Sequence, residues 1–262
     1  MISKSALDRK VAELLAALYE RRFVQLSTLT LTKLLNKNPY LYRAVGIQRP
    51  DDLLDELLDA RISSSDETIF GNEFFEPLAL WAAGAAKIPG RTVSVGAGAG
   101  QDISIESATE YFAISVKSGK NIFNSQSDKG QKTEFDQLEA RLKKLKKAFH
   151  KVVGFGYGRQ AAPKVEKAIL KKAGQDFWEL LTGEPDFYLR ISNAISKPAA
   201  IHKAAFDEAL LKKHSELLRQ FMIEFVEADG TVRWNRVVEF NSAHARPART
   251  KRTPRTPTRI AD

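Results

Sequence analysis

The stretch from Gly100 to Gly119, GQDISIESATEYFAISVKSG, constrains the fold more than any other part of the chain. Ile103 and Ile105 alternate with Asp102, Ser104 and Glu106, and Phe112, Ile114 and Val116 alternate with Ala113, Ser115 and Lys117. A period of two gives a strand one apolar and one polar face, so the segment reads as a β-hairpin. A turn centred on Ala108 and Thr109 sets Asp102 opposite Ser115, with Lys117 one diagonal step away on the same face. Directly opposed residues lie about 4.5–5.5 Å apart and diagonal ones about 7–8 Å, so an acid and an amine converge on one spot. A carboxylate suited to a hard cation beside a lysine suited to water or phosphate is the core of a metal-dependent phosphodiesterase site. The plain alternative is a surface hairpin with ordinary solvated charges.

These residues resemble the PD-(D/E)xK nuclease superfamily, in which Asp starts a hairpin and a (D/E)xK triplet ends it. KSG followed by Asn121 and Asn124, with KNPYLYRA (Lys37 to Ala44) and SSSDETIFG (Ser63 to Gly71), resembles the PmeII-like type II restriction endonucleases. The likeness runs from about Lys37 to Gly158 and is not followed in the C-terminal part. It departs from the superfamily in two places: Gln101 stands where proline is common, and Ser115 stands where an acid is expected. NgoMIV-like enzymes also carry an SxK triplet and recruit a Glu from a helix.

The resemblance implies an Mg²⁺-dependent type II restriction endonuclease that cuts double-stranded DNA at a specific sequence. It further implies a homodimer on a palindromic site, a 5′-phosphate product and a cognate DNA methyltransferase. Asp102 would ligate Mg²⁺, and Lys117 would orient the attacking water and stabilise the pentacovalent phosphate. The missing acid has three helical sources. Glu73 and Glu76 precede the hairpin and Glu134 follows it, and the order of preference is Glu76, Glu134, Glu73. Glu106 shares the face of Asp102, but four residues of strand put it about 13 Å further along. Ser118, Asn121, Asn124 and Gln126 lie at or just past the end of the catalytic strand, and Asn and Gln side chains there suit adenine edges. Lys143 and Lys144, in the cluster Arg141 to Lys151, suit phosphate contacts, although a solvated helix face explains them equally. The competing readings are a non-catalytic DNA-binding protein on a decayed nuclease fold, with Ser115 its symptom, and a repair or recombination nuclease.

The formal net charge is +9. Arg246, Arg249, Lys251, Arg252, Arg255 and Arg259 against Asp262 hold a surplus of five, which leaves only +4 for everything before Ala243. The body is mildly basic and the tail strongly so, which is compatible with DNA without requiring it. Cysteine is absent, which excludes disulfides, thiol catalysis and cysteine-ligated metal sites. No apolar run is long enough to span a bilayer and the N-terminus has no signal-peptide core, so no membrane partner is expected and a cytoplasmic protein is the simplest fit.

The expected fold class is α/β: a restriction-endonuclease-like mixed central sheet flanked by helices, with additional N- and C-terminal helices. Residues 1–62 form an N-terminal helical region, 63–160 the catalytic core, 161–241 a mostly helical region packed on the core, and 242–262 a disordered basic tail. Apolar spacing predicts helices over Ala6 to Phe23, from Pro50, from Ser65 through Trp81 (irregular at Gly71 and Pro77), and over Glu134 to His150. Further helices are predicted over Gln175 to Leu181, Phe187 to Ile195 and about Ala204 to Val226. Predicted strands besides the hairpin are a possible one at Val93 and Val95, Val152 to Tyr157, and Thr231 to Phe240. Gly96, Gly98 and Gly100 are followed by a strand rather than a helix, so they are not a dinucleotide loop; they suit close backbone approach to DNA. Gly154, Gly156 and Gly158 are read as tight packing against the crossover helix rather than ligand binding. None of the four histidines has metal-pair spacing.

Overall fold

The computed structural model describes residues 1–96, 98, 100–119, 125–160, 164–166 and 168–243, with the backbone alone at 125–128 and 164. Asn121, Asn124 and all but the first two residues of the basic tail lie outside the described residues, as does the side chain of Gln126.

Ser3 caps the first helix by accepting from the Ala6 N–H, and α1 (Lys4–Ser27) buries Leu7, Val11, Leu14, Leu15 and Leu18 as one stripe. Short helices α2 (Leu31–Leu35) and α3 (Pro39–Ala44) lead to α4 (Pro50–Phe70). The helix predicted to begin at Ser65 is instead the last third of α4. Ser65, Asp66, Glu67 and Thr68 offer a cap and first-turn acids in sequence, but no Gly or Pro interrupts the helix there, and Ile69 extends its buried side.

The irregularity predicted at Gly71 and Pro77 is a π-turn, Gly71–Phe75, between α4 and α5 (Glu76–Ala85). Proline has no N–H for the preceding turn and its ring crowds the carbonyl four residues back. The wider turn, closed by the Glu76 N–H on the Gly71 carbonyl, precedes Pro77. One extra residue rotates everything after it by about 100° relative to a plain α-helix. Leu78, Ala79, Ala82 and Ala83 then face the core, while Glu76 opens the helix at its rim.

Six strands form a mixed sheet in the order β1-β2-β3-β4-β6-β5. They are β1 (Thr92–Val95), β2 (Ile103–Glu106), β3 (Glu110–Lys117), β4 (Ala148–Phe155), β5 (Lys164–Glu166) and β6 (Ile169–Ala173). β1, β2 and β3 run antiparallel in turn, β3, β4 and β6 are parallel, and β5 is antiparallel to β6. The expected hairpin, crossover helix and parallel strand are all present, the crossover being α6 (Ser125–Leu142). One sheet face, with Ile103, Ile105, Ile114 and Val116, joins α1, α5, Phe177, Trp178 and Phe187 in the main core. The other, with Tyr111, Ala113, Val153 and Phe155, packs on Phe135 and Leu138 of α6.

Four other expectations are corrected. The helix predicted to His150 stops at Leu142, passes through a 3₁₀ turn at Lys143–Leu145, and reverses at Lys146, which sits at φ 53°. Phe149 and His150 then belong to β4; a run of lysines without Gly or Pro concealed the break. Strands β5 and β6 occur where helix was expected, because strands of three and five residues rich in lysine leave no clear alternation. The helices predicted on either side of Pro198 are a single helix, α8 (Phe187–Phe225), which follows α7 (Gln175–Thr182). Finally, Thr231 to Phe240 is not a strand. A lone bridge between Val226 and Val232 precedes α9 (Trp234–Ser242). Trp234, Val237, Val238 and Asn241 also satisfy helical spacing, and Val237 packs with Leu217, Phe221 and Phe225 in a second cluster that includes α2 and α4.

Candidate active site

Register brings the hairpin residues together. Ile103 pairs with Ile114, so Asp102 stands opposite Ser115, with Lys117 two residues on along the same face. The Asp102 N–H donates to the Ile114 carbonyl at 2.9 Å, which extends the ladder one residue beyond β2. One carboxylate oxygen, Oδ2, accepts the Val116 N–H at 2.6 Å and the Ser115 hydroxyl at 3.3 Å. Among the described residues nothing donates to Oδ1. The hairpin thus fixes the carboxylate by one oxygen and leaves the other for a ligand. Ser115 is fully buried, and its hydroxyl orients Asp102 rather than replacing the missing acid.

Glu76 supplies the second carboxylate of the cluster. Its carboxyl is held above the ordinary value of 4.5, first by burial and then by the charge of Asp102, with Lys117 acting in the opposite direction. These charges sense one another across the mouth of the sheet, yet among the described residues Glu76, Asp102 and Lys117 form no ion pair. The Lys117 ammonium has no hydrogen-bond or ion-pair partner among those residues. Two carboxylates and an ammonium that do not pair with one another remain open to a ligand, and carboxylate oxygens suit Mg²⁺, which takes few protein ligands and keeps several waters. No group of three or more metal-ligating side chains occurs among the described residues.

The other two candidate acids differ in their surroundings. Glu73 accepts from Arg21 of α1 at 3.1 Å, on the side of the π-turn facing α1. Glu134 lies against the loop that delivers Asp102: a Cβ at Gly100, which sits at φ 72°, would overlap its carboxylate. Sequence reasoning missed its neighbour Gln131, a buried amide that donates to the Gly100 carbonyl at 2.7 Å. The spacing of Gln131 and Glu134, three residues apart on one helix face, was the available signal. The glycines before Asp102 make room for the protein's own side chains at this clamp. Arg141 fills the space beside Gly98, and Gln101 fills that beside Gly96. Gly154 and Gly156 are indeed packing glycines, but against Phe177 and Phe75 rather than the crossover helix.

Ser118 directly follows β3 and lies beside Gly71. Lys143 and Lys144 are not brought to the cluster: they lie past the end of α6, near the opposite end of β3, where Glu110 pairs with Ala148.

A mixed sheet whose hairpin presents Asp and Lys at one mouth, with a helix-borne Glu beside them, is an arrangement compatible with a nuclease. The family model of the type II restriction endonuclease EcoO109I matches residues 5–203. The chain belongs to that family of DNA-cleaving enzymes, and the match extends past the local resemblance in both directions, through the first part of α8. It supports a type II restriction endonuclease rather than the narrower PmeII-like grouping. No curated protein matches the chain significantly. No helix among the described residues is long and apolar enough to cross a membrane.

Proposed function

We propose that the chain is an Mg²⁺-dependent, sequence-specific endonuclease in which Asp102, Glu76 and Lys117 form the catalytic cluster. The observation that carries this reading is the electrostatic meeting of Glu76 with Asp102 and Lys117, three residues from two separate elements. Asp102 and Glu76 would hold the cation, which supplies Lewis-acid stabilisation to the phosphate and its attacking water. Lys117, unpaired and at the strand end, is placed to orient that water and to offset negative charge growing on the phosphate. Asp102 is held ready by the Val116 N–H and the Ser115 hydroxyl, so no reorganisation is needed to present Oδ1. Glu134 acts by bracing the Gly100 loop and remains the second choice as a ligand.

A homodimer on palindromic DNA, a cytoplasmic location and a partner methyltransferase complete the proposal. Lys143 and Lys144 would contact flanking phosphates rather than the cut. The eight residues of β3 separate them from Lys117, which is about 26 Å of strand.

Incubation of plasmid DNA with the purified protein, with and without Mg²⁺, tests the proposal. Discrete bands that vanish with chelator are expected. A smear would replace specificity with a repair-type nuclease, and uncut DNA at all metal concentrations would leave a DNA-binding protein on a nuclease fold.

A further inference from the structure

Beside the mouth that holds Lys117 the sheet opens into a second cleft of about 650 Å³, lined by the exits of β4 and β6 and by α8. Its polar lining includes Arg159, Gln160, Gln175, Asp176 and Ser192. The β4 exit is tied directly to the catalytic strand: the Gly156 N–H donates to the Lys117 carbonyl at 2.8 Å and the Tyr157 N–H to the Ser118 carbonyl at 3.2 Å. It is also a stiff platform. The Trp178 indole N–H donates to the buried Gly156 carbonyl at 2.9 Å, and Gly158 takes φ 127°. Gly174, at φ 53°, lies so close that a Cβ there would sit 2.9 Å from the Gly158 carbonyl oxygen.

Arg159 stands next on this platform. It is exposed and has no partner among the described residues. Two residues of chain carry it at most about 7 Å from Tyr157, a reach of about two base-pair rises. We propose that this cleft reads the base pairs next to the cut, with Arg159 gripping guanine O6 and N7 in the major groove. The inference rests on the nuclease reading above.

The composition of the lining separates base reading from phosphate tracking. A phosphate track gathers cations and avoids acids. Here one arginine is set among carboxamides and the carboxylate of Asp176. That mixture of donors and acceptors matches base edges, where Arg suits guanine, Gln suits adenine and Asp suits the cytosine amine. Gln160 already gives its amide N–H to the Lys171 carbonyl at 3.0 Å, so Gln175, exposed at the start of α7, is the freer carboxamide.

The test begins with wild-type protein, whose cut site is found by sequencing the ends of digested DNA. If the wild type cuts nothing, the nuclease reading falls and this inference falls with it. With an active wild type, Arg159→Ala is expected to lose about ten- to a hundredfold in Ca²⁺-supported affinity for the cognate duplex. Affinity for unrelated duplex and the salt slope should stay as in wild type, and cleavage should relax at one symmetric G·C position. Arg159→Lys should not restore discrimination, because an ammonium cannot make the paired contact. A uniform loss on all sequences with the salt slope reduced by about one would make Arg159 a phosphate contact. That result, or unchanged discrimination, overturns the base-reading assignment while leaving the nuclease function in place.

Discussion

The two ends of the hairpin use the same residue types in opposite ways. At the turn end, Lys147 reaches Glu106 at 2.5 Å and the Ser107 carbonyl at 2.5 Å, while nearby Lys151 bonds Asp136 at 2.6 Å and Glu139 at 2.7 Å. Lys147 is thus paired with Glu106, and Lys151 with Asp136 and Glu139. At the mouth end, Glu76 feels the charges of Asp102 and Lys117 without pairing with either. Mutual neutralisation makes acids and lysines structural; holding them apart leaves each able to act on something brought from outside. The difference lies in backbone placement. Glu106 and Lys147 come from adjacent connections, whereas Glu76 stands on a helix opened by a π-turn and makes no ion pair with the hairpin among the described residues.

The largest break in this comparison is removal of the mouth residues. Asp102→Ala and Lys117→Ala should each lower the cleavage rate by about a thousandfold or more. DNA binding in Ca²⁺ should persist in the lysine variant, because affinity comes mainly from contacts away from the reacting phosphate. Near-normal cleavage by either variant, measured in single-turnover assays, would dissolve the assignment.

Glu76→Gln should nearly match that loss while affecting stability in the opposite direction. The folded carboxyl is raised above its ordinary 4.5 by burial and by Asp102, so the native state binds its proton more tightly than the unfolded chain. Native stability must then fall as pH rises from the unfolded value through the raised one. In chelator, the Gln variant should melt higher than wild type at neutral pH, and the difference should disappear in acid below the unfolded value. Added Mg²⁺ should raise the Tm of wild type but not of the variant. Glu73→Gln, which removes only the partner of Arg21, should cut like wild type. A lower neutral-pH Tm for Glu76→Gln would show the carboxylate to be a structural partner, as at the turn end.

Much of this contrast was legible in the residues. Alternation fixed the hairpin and its register, because a slip of one residue would turn Ile103, Ile105, Ile114 and Val116 out of the core. That register alone set Asp102 opposite Ser115. The preference for Glu76 followed from its place on the helix before the hairpin. The π-turn that aims it was visible only as an irregularity, since Gly71 and Pro77 mark a disturbance without specifying its geometry. The end of α6 was hidden by lysines that suit a solvated helix, a 3₁₀ turn and a strand edge alike. The α9 segment fits two periods, and packing against Phe221 and Phe225 decides between them. The Gln131 clamp depends on how α6 crosses the glycine loop, which no local pattern records.

That clamp yields an intermediate effect. Gly100 has φ 72°, and a Cβ there would overlap Glu134 and approach Gln131 Nε2 to 2.8 Å. Gly100→Ala should therefore cost about 1–3 kcal/mol of stability from backbone strain alone. It should also slow cleavage by displacing Asp102, with the cognate site unchanged. Unaltered kinetics in a destabilised Gly100→Ala protein would separate the loop from the placement of the carboxylate.

The smallest effect belongs to the turn end. Lys147 is largely buried and Glu106 is more exposed, with side chains 19% and 39% accessible. An ion pair that partly faces water couples by about 0.2–1 kcal/mol, because solvent screens the attraction and both side chains lose freedom. A double-mutant cycle on Lys147→Ala and Glu106→Ala should return a coupling in that range, shrinking as salt is added. Lys147→Ala alone should cost somewhat more, since the Ser107 carbonyl also loses its donor. Cleavage by this variant should stay within about twofold of wild type, because the length of β3 separates the two ends and the register is held by the apolar face rather than by this pair. A tenfold loss of cleavage in a protein that melts near the wild-type temperature would mean that the paired end transmits to the unpaired one. The hairpin would then act as a single lever, and the division between structural and reactive charges drawn along it would fail.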